Sequence, residues 1–268
     1  MFQIKNKVVV VTGASQGIGK HISIEVAKKG AIVVMIARSL KKLKKVELTI
    51  KSTQGVCFLI VGDITSKNSV KQSIQKVIEK FGRVDILINN AAIGLFETVA
   101  DSEQKDIKKV FDTNFFGPIY CIQFVIPHMR KRKKGMIVNI SSAISKYSMY
   151  HQGIYSASKA ALERITEAIG IEEIGFGVKT LLIIPDRTRT QFRNHVAGPK
   201  RFARLPFKLP ESDPRKVAKK ILLAIIKEKN VFHTTIRSRI YHIATAICPK
   251  LVGQILERNH YKFLRNIK

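Results

Sequence analysis

Residues 8–19 read VVVVTGASQGIG, and this stretch decides the fold that the rest of the chain completes. Its four valines form a short, wholly apolar run, which is typical of a strand buried on both faces of a parallel sheet. Gly13, Gly17 and Gly19 follow, and they allow a tight turn whose backbone can approach a pyrophosphate at a helix N-terminus. Their spacing differs from the G-x-G-x-x-G dinucleotide fingerprint. A strand-to-helix turn without a ligand is the alternative that the glycines alone leave open.

Short apolar runs and amphipathic stretches go on alternating along the chain. The apolar runs predict strands at residues 8–11, 32–36, 56–61, 86–88, 136–140 and 178–184. The periodic stretches predict helices at residues 17–29, 39–52, 66–81, 103–131, 154–174 and 214–229. This alternation predicts a doubly wound parallel sheet in a three-layer α/β/α arrangement. Ligands of such sheets bind at the carboxyl ends of the strands.

We predict a single domain over residues 1–268, because no linker, repeat or low-complexity tract divides it. Residues 186–213 are rich in Arg and Pro, and we interpret them as a lid or loop beside the site. Residues 236–268 form a basic tail with a C-terminal helical stripe that Pro249 should kink or divide. The apolar residues of that stripe recur at three- and four-residue steps: Ile240, Ile243, Ala244, Ile247, Leu251, Ile255 and Leu256. The tail either packs on the protein or a sister subunit, or lies on an anionic membrane.

The composition limits the class of protein. Hydrophobic residues make up 45% of the 268 residues and charged residues 25%, which excludes disordered and collagen-like chains. Three cysteines show neither metal-ligand nor disulfide spacing, so we expect no metal and a reducing, cytoplasmic location. The N-terminus lacks the pattern of a cleaved signal peptide, and no apolar run reaches the roughly 18 residues of a membrane span.

The charge balance is strongly basic, with 48 Lys and Arg against 19 Asp and Glu, a net charge of +29. The excess cations either cover solvated helix faces or attract an anionic membrane, an acidic substrate or nucleic acid. The run RKRKK at residues 130–134 is typical of a nucleic-acid patch. It also closes a predicted helix, where cations meet the negative end of the helix dipole. We therefore expect no specific nucleic-acid partner, and at most peripheral contact with the inner face of a membrane.

A phenol and an ammonium stand one helical turn apart in YSASK, residues 155–159. Tyr155 and Lys159 therefore share one helix face. Ser142 follows the predicted strand at 136–140, and Asn114 lies within the predicted helix at 103–131. Together with TGASQGIG at residues 12–19 and NNAA at residues 89–92, these motifs have the order and spacing of the short-chain dehydrogenase/reductase family. The chain resembles that family over about residues 5–235.

The resemblance implies a Rossmann-type fold and hydride transfer between a nicotinamide and a carbonyl or secondary alcohol. It makes Tyr155 the acid/base, Ser142 the group that orients the substrate oxygen, and Asn114 part of a water relay to Lys159. Lys159 would also hold the nicotinamide ribose. An unperturbed phenol has a pKa of about 10, and we expect the charge of Lys159, helped by oxidised nicotinamide, to lower the pKa of Tyr155. A homodimer or homotetramer is expected.

The end of the second predicted strand bears on the choice of cofactor. An acidic residue there would bind the ribose hydroxyls of NAD, but the chain has Arg38. A guanidinium suits a 2′-phosphate, so we predict that NADP(H) is preferred over NAD(H). By resemblance, the cofactor is bound by Gly13, Ser15, Gln16, Gly17, Ile18, Gly19, Arg38, Asp63, Asn90, Ala91, Tyr155, Lys159, Thr188 and Thr190.

Two positions depart from the family pattern. Asp186 replaces the glycine that usually follows the proline after the sixth strand, and Ser145 stands where another glycine is usual. Aspartate tolerates left-handed backbone better than most residues, so we expect the turn at Asp186 to survive. A catalytically silent nucleotide-binding or sensing protein on the same fold is the alternative to an active enzyme.

The lid favours an apolar or acyl-type substrate, since cations and apolar side chains alternate in it. The cations are Arg187, Arg189, Arg193, Lys200, Arg201, Arg204 and Lys208, and the apolar residues are Phe192, Phe202, Leu205 and Phe207. Plain solvated charge is the alternative explanation.

Overall fold

The computed structural model describes residues 2–199, 202 and 210–265 of the chain. Its strands are β1 (Val8–Thr12), β2 (Ile32–Ala37), β3 (Val56–Val61), β4 (Ile86–Asn89), β5 (Gly94–Leu95), β6 (Gly135–Ile140), β7 (Val178–Ile184), β8 (Val196–Ala197) and β9 (Val231–His233). Its α-helices are α1 (Gly17–Ala27), α2 (Leu40–Lys51), α3 (Lys67–Phe81), α4 (Gln104–Phe111), α5 (Gly117–Lys131), α6 (Gly153–Glu172), α7 (Pro214–Ile226), α8 (Ile236–Ile247) and α9 (Pro249–Arg265).

A sheet of seven parallel strands confirms the predicted α/β architecture. The strands are ordered β3-β2-β1-β4-β6-β7-β9. In the register, Val8 of β1 lies opposite Ile32 of β2, and Val9 lies opposite Ile86 of β4. The chain moves outward from β1 through β2 to β3, and then returns to place β4 on the other side of β1. Such a reversal opens a crevice at the carboxyl ends of the strands, where ligands of open α/β sheets bind.

Three short strands were not predicted from the sequence. The edge strand β9 has three residues, and β5 and β8 form a separate parallel pair of two residues each. Segments this short carry no periodicity that a pattern can detect. They form because a neighbouring strand offers hydrogen bonds, as Leu182 of β7 does in pairing with Val231 of β9.

Alternate residues of β1 face the two helical layers. Val9 and Val11 pack in one apolar cluster with residues of α1, α2 and α7, whereas Val8 and Val10 pack in a second cluster with residues of α3 and α5. Each of the four valines is at most 1% exposed. Full burial of such a side chain contributes about 1.5 kcal/mol or more, so the unbroken valine run stabilises both layers at once.

Polar caps and one proline set several helix boundaries. Four residues accept a backbone N–H from the first turn of α2, α3, α7 and α8, in that order: Ser39, Ser66, Asp213 and Thr235. Pro249 separates α8 from α9, as the sequence predicted.

The predicted helix at residues 103–131 contains a wide turn. Between α4 and α5 the backbone passes through a π-helical turn at Asp112–Phe116, and Asn114 lies in it. Turns of this kind are frequent at functional sites because they re-aim side chains within a helix.

The basic run at the end of α5 is partly engaged inside the protein. The Nη2 atom of Arg132 lies 2.6 Å from a carboxylate oxygen of the buried Asp85, which also accepts the backbone N–H of Val8. Arg130 forms an ion pair with the buried Glu173. These two cations hold α5 to the sheet and to the end of α6.

Candidate active site

One cavity of about 770 Å³ opens at the carboxyl ends of β1, β4 and β6. The structure places on its wall every candidate site residue predicted from the sequence except Gly19 and Asn114. Those on the wall are Gly13, Ser15, Gln16, Gly17, Ile18, Arg38, Asp63, Asn90, Ala91, Ser142, Tyr155, Lys159, Thr188 and Thr190. Residues that are distant in sequence therefore face one compartment.

The glycine turn is fastened to the end of β4. Asn90 donates from its side-chain amide to the Thr12 carbonyl at 2.9 Å, and its backbone N–H donates to the Thr12 hydroxyl at 3.0 Å. A Cβ on Gly13 would lie 2.8 Å from the Cα of Ala91, and a Cβ on Gly19 would lie 2.5 Å from the Gly13 carbonyl oxygen. Gly19 therefore serves the close packing of α1 against the turn and does not line the cavity.

A pair of cations faces the cavity beyond β2. Arg38 is exposed just after that strand, and Lys42 lies in the first turn of α2; both line the cavity. Lys42 donates from Nζ to the side-chain oxygen of Gln16 at 2.9 Å. Within the part of the chain that the structure describes, no carboxylate pairs with Arg38. The sequence analysis missed Lys42, because Arg38 lies before α2 and no helical spacing joins the two residues.

Asp63 shapes its own turn beyond β3. One of its carboxylate oxygens accepts the backbone N–H of Thr65 at 3.0 Å and the Thr65 hydroxyl at 2.9 Å. Its backbone N–H donates to Ser69. The residue lines the cavity while holding this loop in place.

Tyr155 and Lys159 are both buried at the inner end of the cavity. Burial raises the pKa of Tyr155 to about 12, and a hydrogen bond with Ser142 opposes that rise. Burial lowers the pKa of Lys159 to about 7, opposed by the nearby carboxylate of Glu163. Lys159 donates from Nζ to the Ile140 carbonyl at 2.9 Å. The expected lowering of the Tyr155 pKa by Lys159 is absent here, because burial outweighs the other influences on the phenol.

Asn114 is fully buried behind the cavity wall. Its side-chain amide donates to the Ile93 carbonyl at 2.9 Å and to the Ser158 hydroxyl at 3.0 Å, and its Oδ1 accepts the Ile93 N–H at 2.9 Å. The side chain thus joins the loop after β4 to α6, one residue before Lys159.

Comparisons with known proteins agree with this geometry. The family profile described as short chain dehydrogenase matches residues 7–200. The chain belongs to the short-chain dehydrogenase family. It is similar to 11-beta-hydroxysteroid dehydrogenase-like 2 of Arabidopsis thaliana, with 35% identity over 98% of this chain and 84% of the relative. It is also similar to 3-ketodihydrosphingosine reductase of Bacteroides thetaiotaomicron, with 33% identity over 70% of this chain and 66% of that protein.

Solved structures share the fold of this dehydrogenase. A short-chain dehydrogenase/reductase of Burkholderia phymatum in complex with NAD superposes with a TM-score of 0.82 at 23% identity, covering 92% of this chain and 96% of that one. A metagenomic short-chain oxidoreductase in complex with NADP gives a TM-score of 0.73 at 24% identity, covering 88% and 100%. Membership of the family makes the protein an oxidoreductase whose fold binds nicotinamide cofactors.

A buried carboxylate supports the serine loop of the dehydrogenase. Glu163, 1% exposed, lies one turn after Lys159 on α6 and accepts hydrogen bonds from Ser141, at 2.9 Å, and from Ser145. The Ser145 hydroxyl also lies 2.8 Å from the Ser142 carbonyl oxygen, so its one proton is shared between that carbonyl and Glu163. The serine that replaces the usual glycine thus ties the loop of Ser142 to α6. No sequence pattern indicates this role, because it depends on a contact between residues eighteen positions apart.

The loop after β7 does not need a left-handed residue at Asp186. The φ angle of Asp186 is not positive, so this turn does not need the left-handed backbone that favours glycine. Thr188 donates to the Asp186 carbonyl at 2.8 Å, and Thr190 caps the short helical turn at Gln191–Asn194. The cavity reaches this loop, and Phe192 contacts the Tyr155 ring edge-on with the centroids 5.5 Å apart.

The tail forms part of the cavity wall, which the sequence analysis did not predict. Its contributions are Arg237, Ile240, Tyr241, Ala244, Cys248, Leu251, Val252, Ile255, Leu256 and Asn259. The two predicted stripe residues Ile243 and Ile247 face away from it. In the lid, Arg187 pairs with Glu211 at 2.8 Å. The lid residues Lys200, Arg201, Arg204, Leu205, Phe207 and Lys208 lie outside the described part of the chain.

Proposed function

We propose that the protein is an NADP-dependent oxidoreductase that transfers a hydride between the nicotinamide and a carbonyl or secondary alcohol, with Tyr155 as the acid/base. The observation that supports this best is the shared cavity: the hydroxyls of Ser142 and Tyr155 and the amine of Lys159 face the same space as the glycine turn. In this proposal the bound cofactor supplies the hydride, and the protein supplies the proton and the orientation.

The state of the phenol suits reduction. With a pKa of about 12, Tyr155 keeps its proton at neutral pH and can donate it to the oxygen on which negative charge develops. Ser142 hydrogen-bonds with Tyr155 and so orients the donor. Asn114 and Glu163 fix α6 and the serine loop around this pair.

The glycine turn fits a dinucleotide. Gly13 and Gly17 have positive φ angles of 63° and 56°, and the N-terminus of α1 opens directly into the cavity. We propose that NADP(H) is preferred because Arg38 and Lys42 offer two cations where a 2′-phosphate would lie. The other predicted cofactor contacts, including Asp63, Ala91 and Thr190, lie on the same wall.

The decisive experiment compares Tyr155→Phe with the native protein in NADPH-dependent reduction of decalone and methyl nonyl ketone. Loss of the proton donor should lower kcat by about 10²- to 10⁴-fold, while the Kd for NADPH stays within about twofold. Tyr120→Phe, on α5 and away from the cavity wall, is the matched control. Undiminished turnover in Tyr155→Phe would refute the role of Tyr155. Tight NADPH binding without turnover of any ketone would favour the silent sensor.

We propose that the substrate is apolar or acyl-type. Leu251, Val252 and Ile255 of α9 line the same cavity as Phe192 of the loop after β7. The two relatives named for a hydroxysteroid and a ketodihydrosphingosine support a substrate that is largely hydrocarbon with one oxygen function. A rise of kcat/KM with ketone chain length would support this, and a preference for small polar carbonyls would contradict it.

We also propose that the protein is cytoplasmic and that its tail docks on an anionic membrane. Within residues 2–199, 202 and 210–265, no helix has the length and apolarity needed to cross a bilayer. Ile236 and Ile247 of α8 are 79% and 73% exposed, and the helices around them are basic. Such a surface fits the headgroup layer of an anionic bilayer.

Cosedimentation with phosphatidylglycerol vesicles tests the docking. Binding should fall with added salt and in an Ile236→Asp, Ile247→Asp double variant, but not in Leu48→Asp, where an equally exposed apolar residue lies on α2. Absence of binding at low salt would contradict the proposal. We further propose a homodimer or homotetramer, which light scattering measures directly.

A further inference from the structure

The carboxylate of Asp186 accepts four hydrogen bonds from three residues, one in its own loop and two at the start of α8. Arg237 donates to it from Nε at 2.8 Å and from Nη2 at 2.9 Å, in a bidentate pair. The Thr235 hydroxyl donates at 2.8 Å, and the backbone N–H of Arg187 donates at 2.7 Å. A glycine at this position could make none of the side-chain contacts. The substituted residue therefore joins the loop after β7 to the first turn of α8.

The electrostatics of α8 depend on this contact. Thr235 caps the helix, Arg237 lies in its first turn, and that turn contains no acidic residue of its own. A cation near a helix N-terminus is unfavourable, whereas a carboxylate there is favourable. Asp186 supplies the carboxylate from outside the helix, and its side chain is only 10% exposed. Burial acts to raise the pKa of Asp186, but hydrogen bonds from Arg237, Arg187 and Thr235 outweigh it and hold the pKa low.

The next turn of α8 reaches the reaction centre. Ile240 and Tyr241 line the cavity, and the Tyr241 ring lies against Tyr147 with the centroids 5.3 Å apart. The buried His242 hydrogen-bonds with the backbone of Ala143 and Ser142. One short helix thus contacts the loop of the proposed catalytic serine and forms part of the cavity wall, and its N-terminal end is fixed at Asp186.

We propose that Asp186 is a positioning residue for substrate binding: by holding Arg237 it fixes α8, and with it Tyr241 and Ile240, as the wall against which an apolar substrate packs. The inference rests on the proposed function, because it assigns α8 to the substrate side of that site. Asp186 also lines the cavity, and its carboxylate is bound by Arg187, Thr235 and Arg237.

Steady-state kinetics test the effect on substrate. Asp186→Gly, which restores the usual family residue, and Arg237→Ala should each raise the KM for decalone by about tenfold. In both variants kcat and the Kd for NADPH should stay within about threefold. The double variant should resemble either single variant, since both remove one interaction. Arg239→Ala is the matched control, because it removes an exposed cation from the same helix without touching Asp186.

Hydrogen exchange tests the position of α8 without any turnover. Amides of residues 236–247 should exchange about tenfold faster in Asp186→Gly and Arg237→Ala, while Arg239→Ala matches the native protein. Arg237→Lys, which keeps the charge but loses the bidentate geometry, should fall between them. Unchanged exchange in Asp186→Gly would overturn the inference. Faster exchange with an unchanged KM would also overturn it, because α8 would then not form the substrate wall. If the native protein reduces no ketone, the proposed function fails while the exchange result still stands.

Discussion

Replacing Lys159 by methionine should stabilise the ligand-free protein while abolishing its turnover. Lys159 is 2% exposed, and burial lowers its pKa from 10.5 to about 7. One pKa unit corresponds to about 1.4 kcal/mol, so holding this ammonium charged in the folded state costs roughly 4 kcal/mol at neutral pH. Methionine fills similar space without a charge. Part of the gain is offset because the Ile140 carbonyl loses its hydrogen bond, which costs about 1 kcal/mol.

The expected net gain is therefore about 1–3 kcal/mol in the free energy of unfolding at pH 7. Between pH 7 and 10.5 the unfolded chain binds the Lys159 proton more than the folded protein does. The contribution of Lys159 to the free energy of unfolding therefore becomes more favourable as the pH rises across this window. The advantage of Lys159→Met should accordingly shrink by roughly 2 kcal/mol from pH 7 to pH 9.

Urea unfolding at pH 7 and pH 9, followed by circular dichroism, measures both quantities. Lys71→Met, the same chemical change at an exposed position of α3, should alter stability by no more than about 0.5 kcal/mol at either pH. If Lys159→Met is less stable than the native protein at pH 7, or if its advantage is equal at both pH values, the reasoning from burial is wrong.

Three further outcomes are expected. In fluorescence titrations the native protein should bind NADPH about tenfold more tightly than NADH. Arg38→Asp should abolish this preference for NADPH, whereas Lys44→Asp, on the far side of α2, should leave it unchanged. Gly19→Ala should weaken NADPH binding by about tenfold or more, because the added Cβ would displace Asn90 from the glycine turn; an unchanged Kd would show that the turn adapts. Asp85→Asn should lower the free energy of unfolding by about 2 kcal/mol, since a buried acceptor of three donors loses its charge; chemical denaturation decides this.

The sequence predicted the central part of the fold because the relevant signals are local. The apolar runs of β1, β2 and β7 are largely buried in the sheet. A run of four valines is typical of a strand buried on both faces. The order of strands and the glycine turn then place Tyr155 and Ser142 at one edge. For Tyr155 and Lys159 the spacing along the chain was enough, since i and i+4 positions on one helix lie on the same face.

Other features depend on contacts that no spacing encodes. The role of Ser145 depends on Glu163 of another element, and the edge strand β9 forms only because β7 offers it a partner. The sequence shows a lysine one turn from Tyr155 but not how deeply both groups are buried, and that burial raises the pKa of Tyr155 and lowers the pKa of Lys159. Burial is a property of the assembled protein, so the pKa could be assigned only after folding.

The cavity divides into a part set by the family pattern and a part set by the tail. The matched family profile ends at residue 200, and the glycine turn, Ser142, Tyr155 and Lys159 all lie before that point. The residues that close the opposite side begin at Arg237 and continue through α9. The two parts meet where Arg237 binds Asp186, where Tyr241 lies against Tyr147 and where His242 binds the backbone of Ala143 and Ser142. If Tyr155 is the acid/base, as proposed, we expect the tail to select the substrate mainly through residues outside the motifs that identify the family.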